Sequence, residues 1–164
     1  MKGHIPQRGN VQYTPYFEDK INCFIHCLNL SNEQLQEISF DEYDKGNICN
    51  FKCKNEEDGE KKLLSFIKRT GLKIEESSKT PLKPNQWKIA LYFKSLSANV
   101  KQTSGDKTID YHFLINTKNN NWTSKESFRG RVSEYNHLPQ NIPLTPFSYY
   151  NLYKTYTITN EFAK

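Results

Sequence analysis

The spacing of apolar residues changes once along this chain, and that change limits the folds open to it. Ile21, Phe24, Ile25 and Leu28 recur three and four apart, as do Leu63, Leu64, Phe66 and Ile67, which is the stripe of a helix packed on one side. Further on the step becomes two: Trp87, Ile89, Leu91 and Phe93 alternate, then Tyr111, Phe113 and Ile115, and in part Leu152, Tyr156 and Ile158. Helices first and strands afterwards predict an α+β domain, with a helical half over residues 17–76 packed on an antiparallel sheet over 86–164. Residues 1–16 carry Gly3, Pro6, Gly9 and Pro15 without periodicity and read as an extended arm. The first helix should open near Glu18 or Asp19. A short second one fits Ser31 to Glu37, where Ser31 and Gln34 have capping-box spacing. Asp41 to Asn55 reads as irregular, and Glu56 to Thr70 as a helix with Gly71 as its C-cap. Lys118 to Asn121 (KNNN) is a turn signal that would fold Ile109–Thr117 back on Trp122–Ser127.

A chain of 164 residues is most simply one domain with a real core, and ten Tyr and ten Phe supply material for it. The net charge of +5 is carried almost wholly by lysine, since Arg8, Arg69, Arg129 and Arg131 are the only arginines. Scattered lysines without guanidinium forks describe a solvated surface better than a face that reads nucleic acid. No window approaches the roughly 20 apolar residues of a membrane span, and MKGHIPQRGNVQ lacks the apolar centre of a secretory signal. The expectation is a soluble protein made in the cytoplasm, with export only by a route that ignores such signals. Asp41, Glu42 and Asp44 read as a solvated loop, so no paired-carboxylate site is expected. Trp87 and Trp122 read as core or sheet-edge aromatics.

The chemistry lies in KINCFIHCLNL, Lys20 to Leu30. Thiol catalysis needs a sulfur, a base to deprotonate it and a group to hold the base. Cys23 near a helix start gains from the positive end of the dipole, and His112 opens a strand some ninety residues later. Cys27 and Cys49 also fit small buried hydrophobes, the ordinary use of a cytosolic thiol. His26 reads as a core or part-exposed residue, and neither His4 nor His137 has an evident partner.

The segment IDYHFLINTKNNNWTSKESFRGRVSEYNHLPQNIPLTP, together with the early Asn22-Cys23, resembles small papain-like proteins. Their pattern runs Asn-Cys-Tyr, then Asp-Tyr/Phe-His-Phe/Trp, a turn, Trp-Ser-His-Lys-Pro-Gly and Asn-x-Ile-x-x-Pro. The overlay covers Asn22–Leu28 and Asp110–Pro146, about 60 residues, and leaves Leu30–Ile109 without a counterpart. The resemblance implies a papain-like thiol hydrolase near the NlpC-type cell-wall endopeptidases, acting on a peptide or protein substrate without a cofactor or metal. It makes Cys23 the nucleophile, His112 the base and Ser124 the group that orients the imidazole. Ser124 is a departure, because the pattern has His there and a serine is a shorter, neutral orienter. The oxyanion hole would use the Cys23 amide and the side chain of Gln12.

Cys23-x-x-x-Cys27 and Cys49-x-x-x-Cys53 support a rival reading. This twin spacing resembles the disulfide-clasped helical hairpins of mitochondrial import proteins, which implies Cys23–Cys53 and Cys27–Cys49 pairs. The same thiols could instead hold zinc. On either version, or with a site made degenerate by the loss of its third residue, the protein is a non-enzymatic interaction or assembly module.

Overall fold

The computed structural model describes residues 23–28, 51–94, 107–118, 121–125, 132–145 and 148–161. The expected arm and the helix at Ser31–Glu37 lie outside them. In chain order the elements are α1 (Cys23–Cys27), β1 (Lys52–Cys53), α2 (Glu56–Arg69), β2 (Lys73–Glu76), β3 (Gln86–Lys94), β4 (Lys107–Thr108) and β5 (Tyr111–Lys118). They continue with β6 (Asn121–Lys125), β7 (Val132–Tyr135), β8 (Asn141–Thr145) and β9 (Ser148–Thr159). Among the described residues no helix is long and apolar enough to cross a membrane.

The expectation of a papain-like α+β fold, with helices packed on a sheet half, is corrected here. Antiparallel sheet dominates the described chain, and one helix of real length accompanies it. The main sheet has seven strands, in the order β2-β9-β3-β5-β6-β7 with β8 also on β9. Its edge strand β2 comes from the supposed helical half: Lys73–Glu76 pairs with Tyr156–Thr159. Ile74 is the one buried residue of that strand, so period-two alternation had nothing to mark. Lys52–Cys53, expected to be irregular, pairs with Lys107–Thr108.

Other expectations match. The β5–β6 hairpin closes on Lys118 and Asn121, where the turn signal lies. Helix α2 starts behind Asn55, whose side chain accepts the Asp58 amide at 2.8 Å, and carries Glu56, Glu57 and Asp58 in its positive first turn. It ends at Thr70, and Gly71 follows with φ 87°, a left-handed conformation that suits glycine.

Strand β3 explains why the sheet is stable between two apolar faces. Trp87, Ile89, Leu91 and Phe93 point into one cluster with Phe24, Cys27 and Leu28 of the α1 segment and Leu63 and Ile67 of α2. Ala90 and Tyr92 point into a second cluster with Leu114, Trp122, Ile142 and Tyr150. Trp87 also ties α1 down. Its indole N–H donates to the Cys27 carbonyl at 2.9 Å, satisfying an acceptor at the end of a helix too short to satisfy its own.

The packing of α2 on Phe51, Cys53 and Phe93 leaves little room for a side chain at Gly59. A Cβ on Gly59 would stand 3.1 Å from Cys53 Sγ, 3.2 Å from Phe93 Cζ and 3.3 Å from Phe51 Cε1. Gly59→Ala should therefore lower stability by about 1 kcal/mol in urea titration: overpacking of about 1–3 kcal/mol exceeds the helix-propensity gain of about 1 kcal/mol. A stabilised variant would mean that the two phenylalanines yield easily.

Candidate functional site

Strand β5 brings the sequence-marked residues together, and its backbone determines how. The Asp110 carbonyl accepts the Lys94 amide at 2.9 Å. Asp110, His112 and Leu114 thus direct their backbone groups toward β3, and Tyr111, Phe113 and Ile115 theirs toward β6. The β5–β6 pairing runs from Lys118 to Leu114, opposite Ser124, and stops there. Past that point the Phe113 amide faces away from β3 and is not paired with β6.

Cys23 takes that place. The backbone amides of Phe113, of Phe24 and of Cys23 itself lie near its sulfur. Their partial charges favour the thiolate but are outweighed. Burial of the sulfur, with a smaller contribution from the nearby Asp110 charge, pushes the Cys23 thiol up to about 12. The residue keeps part of its surface accessible while the sulfur itself is enclosed.

His112 directly precedes that amide in the strand. It sits between Tyr111 and Phe113, which face α1, so its own side chain turns toward the second cluster. There its ring stacks on Tyr150, with centroids 5.1 Å apart and planes 15° apart. Burial alone, at 5% exposure, holds the imidazole down to about 4. Thiol and imidazole thus lie beside adjacent residues of one strand, the sulfur at the Phe113 amide and the imidazole in the second cluster, both uncharged at neutral pH.

Ser124 lies opposite Leu114, on the face that His112 shares two residues earlier. It is fully buried, and its hydroxyl has no partner among the described residues. Gln12 lies outside the described residues.

Two members of the site escaped the sequence reading. Asp110 was passed over as the first letter of DYHF, although its carboxylate accepts the Tyr150 hydroxyl at 2.8 Å. Tyr150 has no local signal at all, since it reaches His112 only because β3 lies between β9 and β5. Burial, followed by the bond to Asp110, raises the Tyr150 phenol far above its ordinary value, and the Cys23 sulfur contributes to the same rise. Cys23, Asp110, Tyr150 and His112 therefore form one connected group.

Cys27 and Cys53 are packing residues. Cys23, Cys27 and Cys53 are in no disulfide, so neither bridge of the proposed clasp is formed. Cys27 donates to the Phe24 carbonyl at 2.9 Å, and Cys53 is buried under Gly59. Cys49 lies outside the described residues. Among the described residues no three His, Cys, Asp or Glu side chains are grouped to hold a metal. His137 is exposed, with a ring nitrogen 2.7 Å from the Asn136 side chain. No protein-family model, curated protein or solved structure matches the chain.

Proposed function

We propose that this chain is a thiol hydrolase of amide bonds, a peptidase, amidase or isopeptidase, working through Cys23 and His112. The observation that carries the reading is the seat of the Cys23 sulfur on the Phe113 amide, one residue from His112. The resting pair is neutral. Catalysis then follows the serine-hydrolase pattern, in which the proton leaves as the nucleophile attacks, rather than starting from a preformed ion pair. Sulfur bonds to the substrate carbonyl carbon, the thiol proton passes to His112, and the carbonyl pair moves onto oxygen. Collapse breaks the C–N bond, and the departing amine takes the proton from His112. Water, deprotonated by His112, then cleaves the thioester to release the acid and restore the thiol. Ser124 and Gln12 keep their orienting and oxyanion roles on chain position alone, since the Ser124 hydroxyl makes no hydrogen bond to the ring in the resting site.

A peptidyl vinyl sulfone tests this. Vinyl sulfone addition depends on proton transfer at the site, so wild-type protein should gain one adduct at Cys23 by peptide mass mapping. The His112→Gln variant should react at least about a hundredfold more slowly, the lower range of a positioned base. Equal rates in two folded proteins would remove His112 from the chemistry. The burial that keeps both groups neutral favours a second reading, an interaction protein with an idle site. Complete inertness of folded wild-type protein toward the reagent would select it.

A further inference from the structure

The contact between His112 and Tyr150 differs from the other aromatic contacts among the described residues. Phe24, Phe51, Phe66, Phe93, Tyr111, Phe113 and Tyr153 meet one another edge to face, at 67–88°. That is the usual way to fill a core. Tyr150 instead lies nearly parallel to the imidazole, 15° off. It gets there by spanning a strand: Tyr150 pairs with Lys94, whose amide bonds Asp110, so the three residues lie in one row across β9, β3 and β5. The phenol crosses that row to Asp110 and leaves its ring face on His112. A phenol that donates to a carboxylate has an electron-rich face, and a parallel face is the geometry that favours a cation.

We propose that Tyr150, anchored by Asp110, is a positioning residue that fixes the plane of the His112 imidazole and steadies the imidazolium formed in the hydrolase reaction proposed above. The inference rests on that reading for its catalytic half and on geometry alone for its structural half. Toward His112, Asp110 acts through Tyr150, and it is itself exposed.

The test compares wild type, Tyr150→Phe and Tyr150→Leu, following the His112 ring resonances by NMR through an acid titration and the vinyl sulfone rate in parallel. His112→Gln identifies the resonances. Tyr150→Leu should remove the upfield displacement caused by the stacked ring, and should slow addition by about a hundredfold if the base is misplaced. Tyr150→Phe keeps the stack and loses the bond to Asp110. It should preserve the ring displacement, lower the imidazole titration midpoint further and slow addition about tenfold, as for loss of one hydrogen bond to a charged group. Unmoved ring resonances in both variants overturn the proposal, as does a moved ring with an unchanged rate. Should Tyr150→Leu fail to fold, the Tyr150→Phe midpoint and rate decide. An inert wild type defeats the hydrolase reading and the catalytic half with it, while the ring resonances still decide whether Tyr150 holds the imidazole.

Discussion

Trp87→Ala should destabilise the protein by about 4 kcal/mol, in the range for truncating a fully packed indole, and should also free the segment that carries Cys23. Trp87 is 3% exposed in the cluster that joins α1, α2 and the sheet. The milder Trp87→Phe separates the two effects. It keeps most of the buried apolar surface but deletes the N–H that reaches the Cys27 carbonyl, leaving an unpaired acceptor worth about 1–3 kcal/mol. Iodoacetamide labelling of Cys23 should rise in this variant relative to Cys53, which sits under α2. Should labelling stay at the wild-type rate while stability falls, the indole would be core filling and some other contact would seat the thiol.

Acidification should cost the wild type about 2 kcal/mol between pH 7 and pH 5 that the His112→Gln variant does not lose. The sign follows from the direction of the shift. Burial lowers the folded-state His112 from 6.5 to about 4, so the unfolded chain binds the proton first. Stability is complete above the unfolded value, falls as pH drops through the window, and stops falling for this reason below about 4. Over the full window the contribution is about 3 kcal/mol, at 1.36 kcal/mol per unit. The neighbours of His112 do not blur the result between pH 5 and 6.5. Tyr92 and Tyr150 are both pushed upward, away from the acid range, and carboxylates ordinarily titrate below it. Urea midpoints of the two proteins at pH 7, 6 and 5 decide. Parallel pH curves would mean that the imidazole stays solvated.

The strands that could be read from sequence were those whose two faces differ or whose turn is marked. β5 and β6 are an example, with period-two aromatics on one side of KNNN and Trp122 on the other. β3 was legible because its first-cluster residues are large, although Ala90 and Tyr92 are buried too. β2 was not: a four-residue edge strand gains its order from β9, and local spacing carries none of that information. The site divides in the same way. Cys23 and His112 were visible because a thiol at a helix start and a histidine at a strand start are local features. The Asp110–Tyr150 pair, forty residues apart in the chain, exists only through strand order. The sequence also carried no sign that burial would leave both Cys23 and His112 uncharged.

The outer side of β9, the longest strand, is covered end to end by two short ones. β2 takes Tyr156–Thr159 and β8 takes Ser148 and Tyr149–Asn151, while Gln140 and Ser77 bond Leu152 and Thr155 in the gap. A foreign chain seeking to extend the sheet at this side therefore meets two stubs. One carries Lys73, Glu75 and Glu76, and the other is interrupted by Pro143, which has no amide to offer. Strand-by-strand fibril growth from this border would have to strand charges or skip a rung, which makes it a poor seed even where the rest of the sheet is rich in aromatic residues.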